Sequence, residues 1–130
     1  MTKHLYQIVL LISIIHYTCK GPSQKDPILV EAFEIHKEAV DIAANALKVC
    51  DELPAGDVRR TKFRATLEDW GDNLIEVPGF HYHHDGLGHH HNRPPIKLTP
   101  DEALKVQKEF RDSIVAIHGR LLLYQSDQLK

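Results

Sequence analysis

The chain has 130 residues, which is enough for one small domain and a short flanking segment. Hydrophobic residues make up 42% of the chain and charged residues 26%, proportions that are ordinary for a globular protein. The formal net charge is -2, so overall charge does not favour binding to nucleic acid or to an anionic membrane surface. We therefore predict no nucleic-acid partner.

The first residues differ in composition from the rest of the chain. Lys3 and His4 form a short basic start, and residues 5–15 are apolar with two polar interruptions. A membrane-spanning helix needs roughly 20 apolar residues, so this run is too short to cross a bilayer. It has the length typical of the apolar core of a secretion signal. We therefore predict a signal peptide over residues 1–18 and export of the chain.

Cys19 follows the apolar run at once, and a polar, turn-prone stretch follows Cys19 as far as Asp26. This order of features resembles a bacterial lipoprotein signal. The resemblance implies a lipidated Cys19, a flexible tether over residues 19–26, attachment to a membrane through the lipid, and a place in the cell envelope as an outer-membrane or periplasmic lipoprotein. Residues 16–18 (His-Tyr-Thr) depart from the family's pattern, which prefers Leu, a small residue and Gly or Ala just before the cysteine. An ordinary secretory peptide and an uncleaved anchor therefore stay as alternatives.

Cys50 is the only other cysteine of the chain. If Cys19 is acylated, Cys50 has no partner within the chain. We therefore expect no disulfide framework, and expect an apolar core to stabilise the fold.

The helical domain is predicted to cover residues 27–130, and its first helix residues 27–53. Asp26 suits the position that caps a helix, and Pro27 suits the first helical turn. Two apolar stripes at helical spacing run along this segment, more than one short neighbour can cover. They motivate a prediction that the protein forms a homo-oligomer or binds an envelope protein partner. The first stripe is Leu29, Phe33, His36, Val40, Ala43, Leu47 and Cys50, and the second is Ile28, Ala32, Ile35, Ala39, Ile42, Ala46 and Val49.

Two further helices are predicted. Pro54 and Gly56 break the first helix, and Asp57 can cap a second helix over residues 57–76. Residues 99–102, Thr-Pro-Asp-Glu, form a capping box that begins a third helix over residues 99–125. Short connections make neighbouring helices antiparallel, so we predict an all-α fold, an antiparallel three-helix bundle with a long histidine-rich loop before the last helix. The apolar stripe of the second helix is Phe63, Leu67, Trp70, Leu74 and Val77, and that of the third is Ala103, Val106, Phe110, Ile114, Ile117, Leu121 and Tyr124.

The predicted loop covers residues 78–98 and holds six of the ten histidines of the chain. Loops of this length inside compact domains are usually functional or disordered. Imidazole is the commonest side-chain ligand for zinc, nickel and copper(II), and four such ligands complete a zinc sphere. Gly86 and Gly88 allow the chain to fold back so that both groups of histidines meet. The predicted metal ligands are His81, His83, His84, Asp85, His89, His90 and His91.

The ligand types narrow the choice of metal. Met1 is the only methionine, so a thioether site for copper(I) is excluded, and zinc, nickel, cobalt and copper(II) stay open with zinc favoured. The function predicted from the loop is that of a metal buffer, scavenger or delivery partner. The alternative is a structural or interaction lipoprotein whose bundle binds a partner or self-associates. In that case the loop is a solvated polar segment with a biased composition.

Other residues fit a structural role better than a site. His36 lies on an apolar stripe and is expected to be a hydrogen-bonded core residue rather than a ligand paired with Glu109, and the same holds for His118. Trp70 is expected in the core. A basic cluster over residues 59–64 is expected to be a solvated helix face. No pattern of nucleophile and base is present in the sequence, so we predict that the protein is not an enzyme.

The mature part of the chain resembles a group of short helical lipoproteins from Bacteroidetes-type bacteria. The resemblance is carried by residues 34–39 (Glu-Ile-His-Lys-Glu-Ala) in the first helix, Trp70 in the second and residues 104–108 (Leu-Lys-Val-Gln-Lys) in the third. It implies a lipidated helical bundle in the envelope. No activity is assigned to that group, so the resemblance transfers no functional residues.

Overall fold

The computed structural model describes residues 25–82 and 96–128, and these residues form three helices and no strand. The helices are α1 (Pro27–Glu52), α2 (Val58–Asn73) and α3 (Pro100–Gln128). The all-helical class predicted from the sequence is therefore confirmed. The predicted signal peptide, Cys19 and most of the tether, and residues 83–95 of the histidine-rich segment, lie outside the described residues.

Each helix begins at a residue that satisfies the unpaired backbone N–H groups of its first turn. Asp26 Oδ1 accepts a hydrogen bond from the Ile28 N–H at 2.8 Å, and Asp57 Oδ1 accepts one from the Arg59 N–H at 2.7 Å. At the start of α3, Thr99 Oγ1 accepts from the Glu102 N–H at 3.4 Å and the Thr99 N–H donates to Glu102 Oε2 at 2.8 Å, which are the two halves of the predicted capping box. These contacts join residues two or three positions apart, so the local sequence is sufficient to set them.

The second helix ends at Asn73, three residues before the predicted end at residue 76. Leu74 is extended, with φ -60° and ψ 132°, and its N–H donates to the Gly71 carbonyl at 3.1 Å. Val77 is 2% exposed although it follows the helix, because the extended chain carries it into the core. Val77 lies seven residues after Trp70, and in a continuous helix this spacing also places both side chains on one face. The apolar stripe therefore predicted a helix that continues to residue 76.

α1 is the central helix of the fold. Its small side chains are fully buried and let α3 approach closely, while Leu67 and Trp70 of α2 fill the adjoining part of the core. The indole N–H of Trp70 donates to Ser113 Oγ of α3 at 2.9 Å. Both predicted stripes of α1 thus pack largely within the chain. The fully buried alanines of α1 are Ala32, Ala39, Ala43 and Ala46.

A second, smaller core lies where α1 and α3 begin. There Ala32 and Ala103 pack against Val77, with Phe80 stacked on Phe33 at 4.5 Å between ring centroids. Residues 74–82 follow the end of α2, contain a turn at residues 78 and 79, and place Val77 and Phe80 against this part of the α1–α3 pair. The residues that lead into the histidine-rich segment are therefore packed against α1 and α3.

Candidate functional site

A tight turn sets the backbone just before the histidine-rich segment. The Phe80 N–H donates to the Val77 carbonyl at 3.0 Å, and Gly79 has φ +77°. Pro78 followed by a glycine with positive φ is the pattern of a type II turn, because an L side chain is disfavoured at the third position. Since Val77 and Phe80 are anchored in the core, this turn fixes where the chain leads into His81.

His81 is the one predicted metal ligand among the described residues. Its side chain is 82% exposed, and its Nδ1 lies 3.7 Å from Glu76 Oε2. The ring is therefore open to a metal ion, and a carboxylate stands about 1 Å beyond hydrogen-bonding distance of one ring nitrogen. His81 therefore has the exposure and the neighbour that a metal-binding imidazole needs.

The other predicted ligands, His83, His84, Asp85 and His89 to His91, lie outside the described residues. Within residues 25–82 and 96–128, no group of three or more His, Cys, Asp or Glu side chains is arranged to hold a metal ion. A complete site thus needs the histidines that follow Tyr82 in the sequence.

A shallow groove on α1 lies beside the point where the chain enters that segment. Tyr82 forms part of its lining, together with Glu34, Glu38 and Asp41. Glu34 is paired with Lys37 at 2.7 Å. Lys37 also lines the groove, but the three carboxylates outnumber it, so this surface keeps a local negative charge that favours cations.

His36 is a buried, hydrogen-bonded residue of the core, with only 3% of its surface exposed. Its Nδ1 lies 3.1 Å from Gln107 Oε1, and Gln107 Nε2 donates to the Ile75 carbonyl at 2.7 Å. Because the amide nitrogen of Gln107 is turned to a carbonyl, its oxygen must accept, and His36 Nδ1 must carry the proton. The partner of His36 is therefore Gln107, and not the exposed Glu109.

Gln107 is the polar core residue that the sequence interpretation missed. It is completely buried, whereas Val106, which had been assigned to the stripe, is half-buried. Gln107 lies four residues after Ala103 and seven before Ile114, a helical spacing that places it on the same buried face. This spacing is the sequence signal that identifies Gln107 as a core position. Apolarity alone favours the neighbouring Val106 for the buried face, so the pattern does not predict a buried glutamine.

The basic cluster at the start of α2 is paired within the fold. Arg60 and Arg64 both bond to Asp51 of α1, and Arg60 Nη1 also donates to the Leu53 carbonyl at 3.1 Å. The guanidinium of Arg59 lies over the Tyr124 ring, 4.6 Å from its centroid. These contacts tie α2 to α1 and α3, so the arginines take part in helix packing and do not form only the solvated face expected from the sequence.

Cys50 is buried against α2. Its Sγ lies 3.4 Å from the Arg60 carbonyl, and burial raises the pKa of the thiol above its ordinary value. The thiolate is the form that binds metals and attacks electrophiles, so a raised pKa makes this residue unreactive. Cys50 thus belongs to the core.

No protein-family model, curated protein or solved structure matches this chain. Among the described helices, none is long and apolar enough to cross a membrane.

Proposed function

We propose that this protein is an exported lipoprotein, anchored through Cys19 in a bacterial envelope, that binds a divalent transition metal ion, with zinc as the favoured metal. The observation that carries the proposal is the density of imidazoles: six histidines fall within residues 81–91. An imidazole-rich ligand set of this kind suits zinc, nickel, cobalt and copper(II). The protein then acts as a metal buffer, scavenger or delivery partner, without catalysing a reaction.

The surroundings of His81 support a site at this place. The turn at Gly79 fixes the start of the segment, and Glu76 stands beside Nδ1 of the His81 ring. A carboxylate that hydrogen-bonds the second nitrogen of a ligating imidazole orients the ring and makes it a better ligand, and in our proposal Glu76 closes to this distance when the metal binds. The acidic groove on α1 adds a local attraction for cations.

We also propose that the three helices form an antiparallel bundle that displays a histidine-rich loop before α3. The order of contacts supports this arrangement. Phe63 packs on Tyr124 while Trp70 packs on Phe110, so positions rise along α2 as they fall along α3. Between α1 and α3, by contrast, Glu52 meets Gln125 near the end of both helices, as an up-down-up order requires.

Calorimetric titration of the full-length chain in detergent with zinc tests the metal proposal. We expect stoichiometric binding that is lost when the six histidines of residues 81–91 are changed to Ala. His118→Ala is the matched control, since His118 lies on α3 outside the segment. Binding should also weaken as the pH falls from about 7.5 to about 5.5, because a protonated imidazole cannot bind a metal.

One further substitution separates a built site from a loose chelator. Glu76→Gln removes the carboxylate beside His81 while keeping its size, and loss of such a partner typically weakens binding by about 10- to 100-fold. An isotherm unchanged by the six-histidine substitution would overturn the metal proposal. A loss with the six histidines but none with Glu76→Gln would remove Glu76 from the site.

The second candidate is a structural or interaction role for the bundle. It is favoured by a specific observation, the exposed apolar residues on the outer side of α3.

A further inference from the structure

α3 carries an apolar patch on the side that faces away from the core. We call it the outer patch and define it by Val115, Ala116, Gly119, Leu122 and Leu123. Val115 is 50% exposed, Leu122 43% and Leu123 68%. The other large exposed aliphatic residues of the described chain, by contrast, are scattered over separate elements. A contiguous apolar patch on one helix face marks an interaction surface more often than scattered residues do.

Helical geometry places the patch opposite the core. Ile117 and Leu121, which are buried against α1, lie on the reverse side of α3 from Gly119. No element of the described fold reaches that side near Gly119, since a Cβ built there meets nothing within 4 Å. The patch therefore does not serve the packing of the bundle itself.

Gly119 sits at the centre of the patch. A glycine inside a helix costs about 1 kcal/mol relative to alanine, and neither a positive φ nor a close neighbour requires one here. Val115 and Leu122 flank it on one side, and Ala116 and Leu123 on the other, which makes a shallow depression between aliphatic side chains. Small residues at such a centre let a second helix approach closely.

We propose that the outer patch is the interface with a second copy of this chain, in which two α3 helices pack antiparallel across Gly119. This pairing is self-complementary, as a two-fold dimer requires. It sets Val115 opposite Leu123 of the second copy, and Ala116 opposite its Leu122, so that each larger side chain meets a smaller one.

Charge supports the second copy as the occupant and the antiparallel direction. Arg111 lies eight residues before Gly119 and Asp127 lies eight residues after it. The antiparallel pairing therefore sets Arg111 opposite Asp127 of the second copy at both ends of the patch, whereas a parallel pairing sets like charges together. Arg111 already bonds to Asp112 at 2.9 Å, and its five N–H donors allow it to serve a second carboxylate.

Disulfide cross-linking tests the interface in the full-length chain. Gly119→Cys places a thiol on the two-fold axis, in a position with room for the side chain. Upon oxidation with diamide we expect a disulfide-linked dimer on a non-reducing gel. Lys105→Cys is the matched control, because Lys105 is exposed on the same side of α3 but lies opposite no residue of the second copy's α3. The unsubstituted chain sets the baseline for Cys19 and Cys50.

Charge reversal tests the direction. In the Gly119→Cys chain, Arg111→Asp should lower the yield of dimer about tenfold, because two attractive pairs become repulsive. Adding Asp127→Arg should restore it. Leu123→Glu should also abolish the dimer without loss of helical circular dichroism, since this side chain is 68% exposed.

Several results would overturn the proposal. Equal cross-linking of the Lys105→Cys and Gly119→Cys chains would mean random collision. In a chain whose Cys19 is not acylated, an intrachain disulfide between Cys19 and the cysteine at position 119 would assign the patch to the chain's own N-terminal segment. A cross-linked species of a different mass would assign it to another protein. No dimer with a folded Gly119→Cys chain, or no rescue by Asp127→Arg, would refute the antiparallel pairing.

Discussion

Replacing Gln107 with leucine should destabilise the fold strongly, because Gln107 serves two partners inside the core. Its amide oxygen accepts from His36, which is 3% exposed, and its amide nitrogen donates to the half-buried Ile75 carbonyl. The leucine satisfies neither group. A buried polar group left without a partner costs about 1–3 kcal/mol, so the two together cost about 2–4 kcal/mol once the partial exposure of Ile75 is allowed for.

Urea and thermal unfolding followed by circular dichroism measure this loss. For a domain of this size, a loss of 2–4 kcal/mol corresponds to a fall in Tm of roughly 10–25 °C. Gln125→Leu is the matched control: it is the same substitution on the same helix, but Gln125 bonds to Glu52 at the surface, so its effect should stay within about 0.5 kcal/mol.

A double-mutant cycle shows whether the loss arises from the pair with His36. The effects of His36→Leu and Gln107→Leu should be less than additive, because the second substitution removes a group that the first has already left without its partner. If Gln107→Leu were as mild as Gln125→Leu, the inferred hydrogen-bond network would be wrong. Strict additivity with His36→Leu would show that the two side chains do not interact.

Two other predictions follow from the pKa shifts. Cys50 should stay unmodified by iodoacetamide in the native chain and react in urea, as mass spectrometry of the peptide can show, because burial raises the pKa of its thiol; rapid native labelling would contradict this. The hydrogen bond from Tyr124, and after it the one from the Arg59 N–H, lowers the pKa of Asp57 in the folded chain. Asp57 therefore stabilises the fold at pH values above its pKa in the unfolded chain, and this contribution is lost as the pH falls through its lower pKa in the folded chain. The difference in urea midpoint between the unsubstituted chain and Asp57→Asn should therefore shrink between about pH 5 and about pH 2, and a difference that does not depend on pH would count against the role of the carboxylate.

The metal proposal and the dimer proposal can be refuted independently of each other. The six-histidine substitution leaves α3 untouched, and Leu123→Glu leaves residues 81–91 untouched. Loss of zinc binding with unchanged cross-linking would support the metal proposal alone. A dimer lost in Leu123→Glu with an unchanged isotherm would support only the interface.

The sequence by itself determined where helices begin, because the contacts that cap them are local. Asp26, Asp57 and the pair of Thr99 and Glu102 bond to backbone groups within three residues, so a short window contains both partners. It also determined the all-helical class, since apolar positions at helical spacing run through every long segment. The kinds of metal ligand offered by residues 81–91 are likewise a property of composition alone.

Tertiary structure decided what depends on distant partners. α2 stops at Asn73 because Val77 and Phe80 pack against α1 and α3 from an extended chain. Helical spacing in the sequence fits both this ending and a helix that continues to residue 76. The partner of His36 is Gln107, 71 residues away, and no local pattern pairs them.

Tertiary structure also decided which apolar stripes are left exposed. Both stripes of α1 suggested self-association, yet most of their residues pack within the chain, and the exposed patch lies on α3 instead. Amphipathicity shows that a face needs cover, whereas the packing of the whole chain decides which faces receive it.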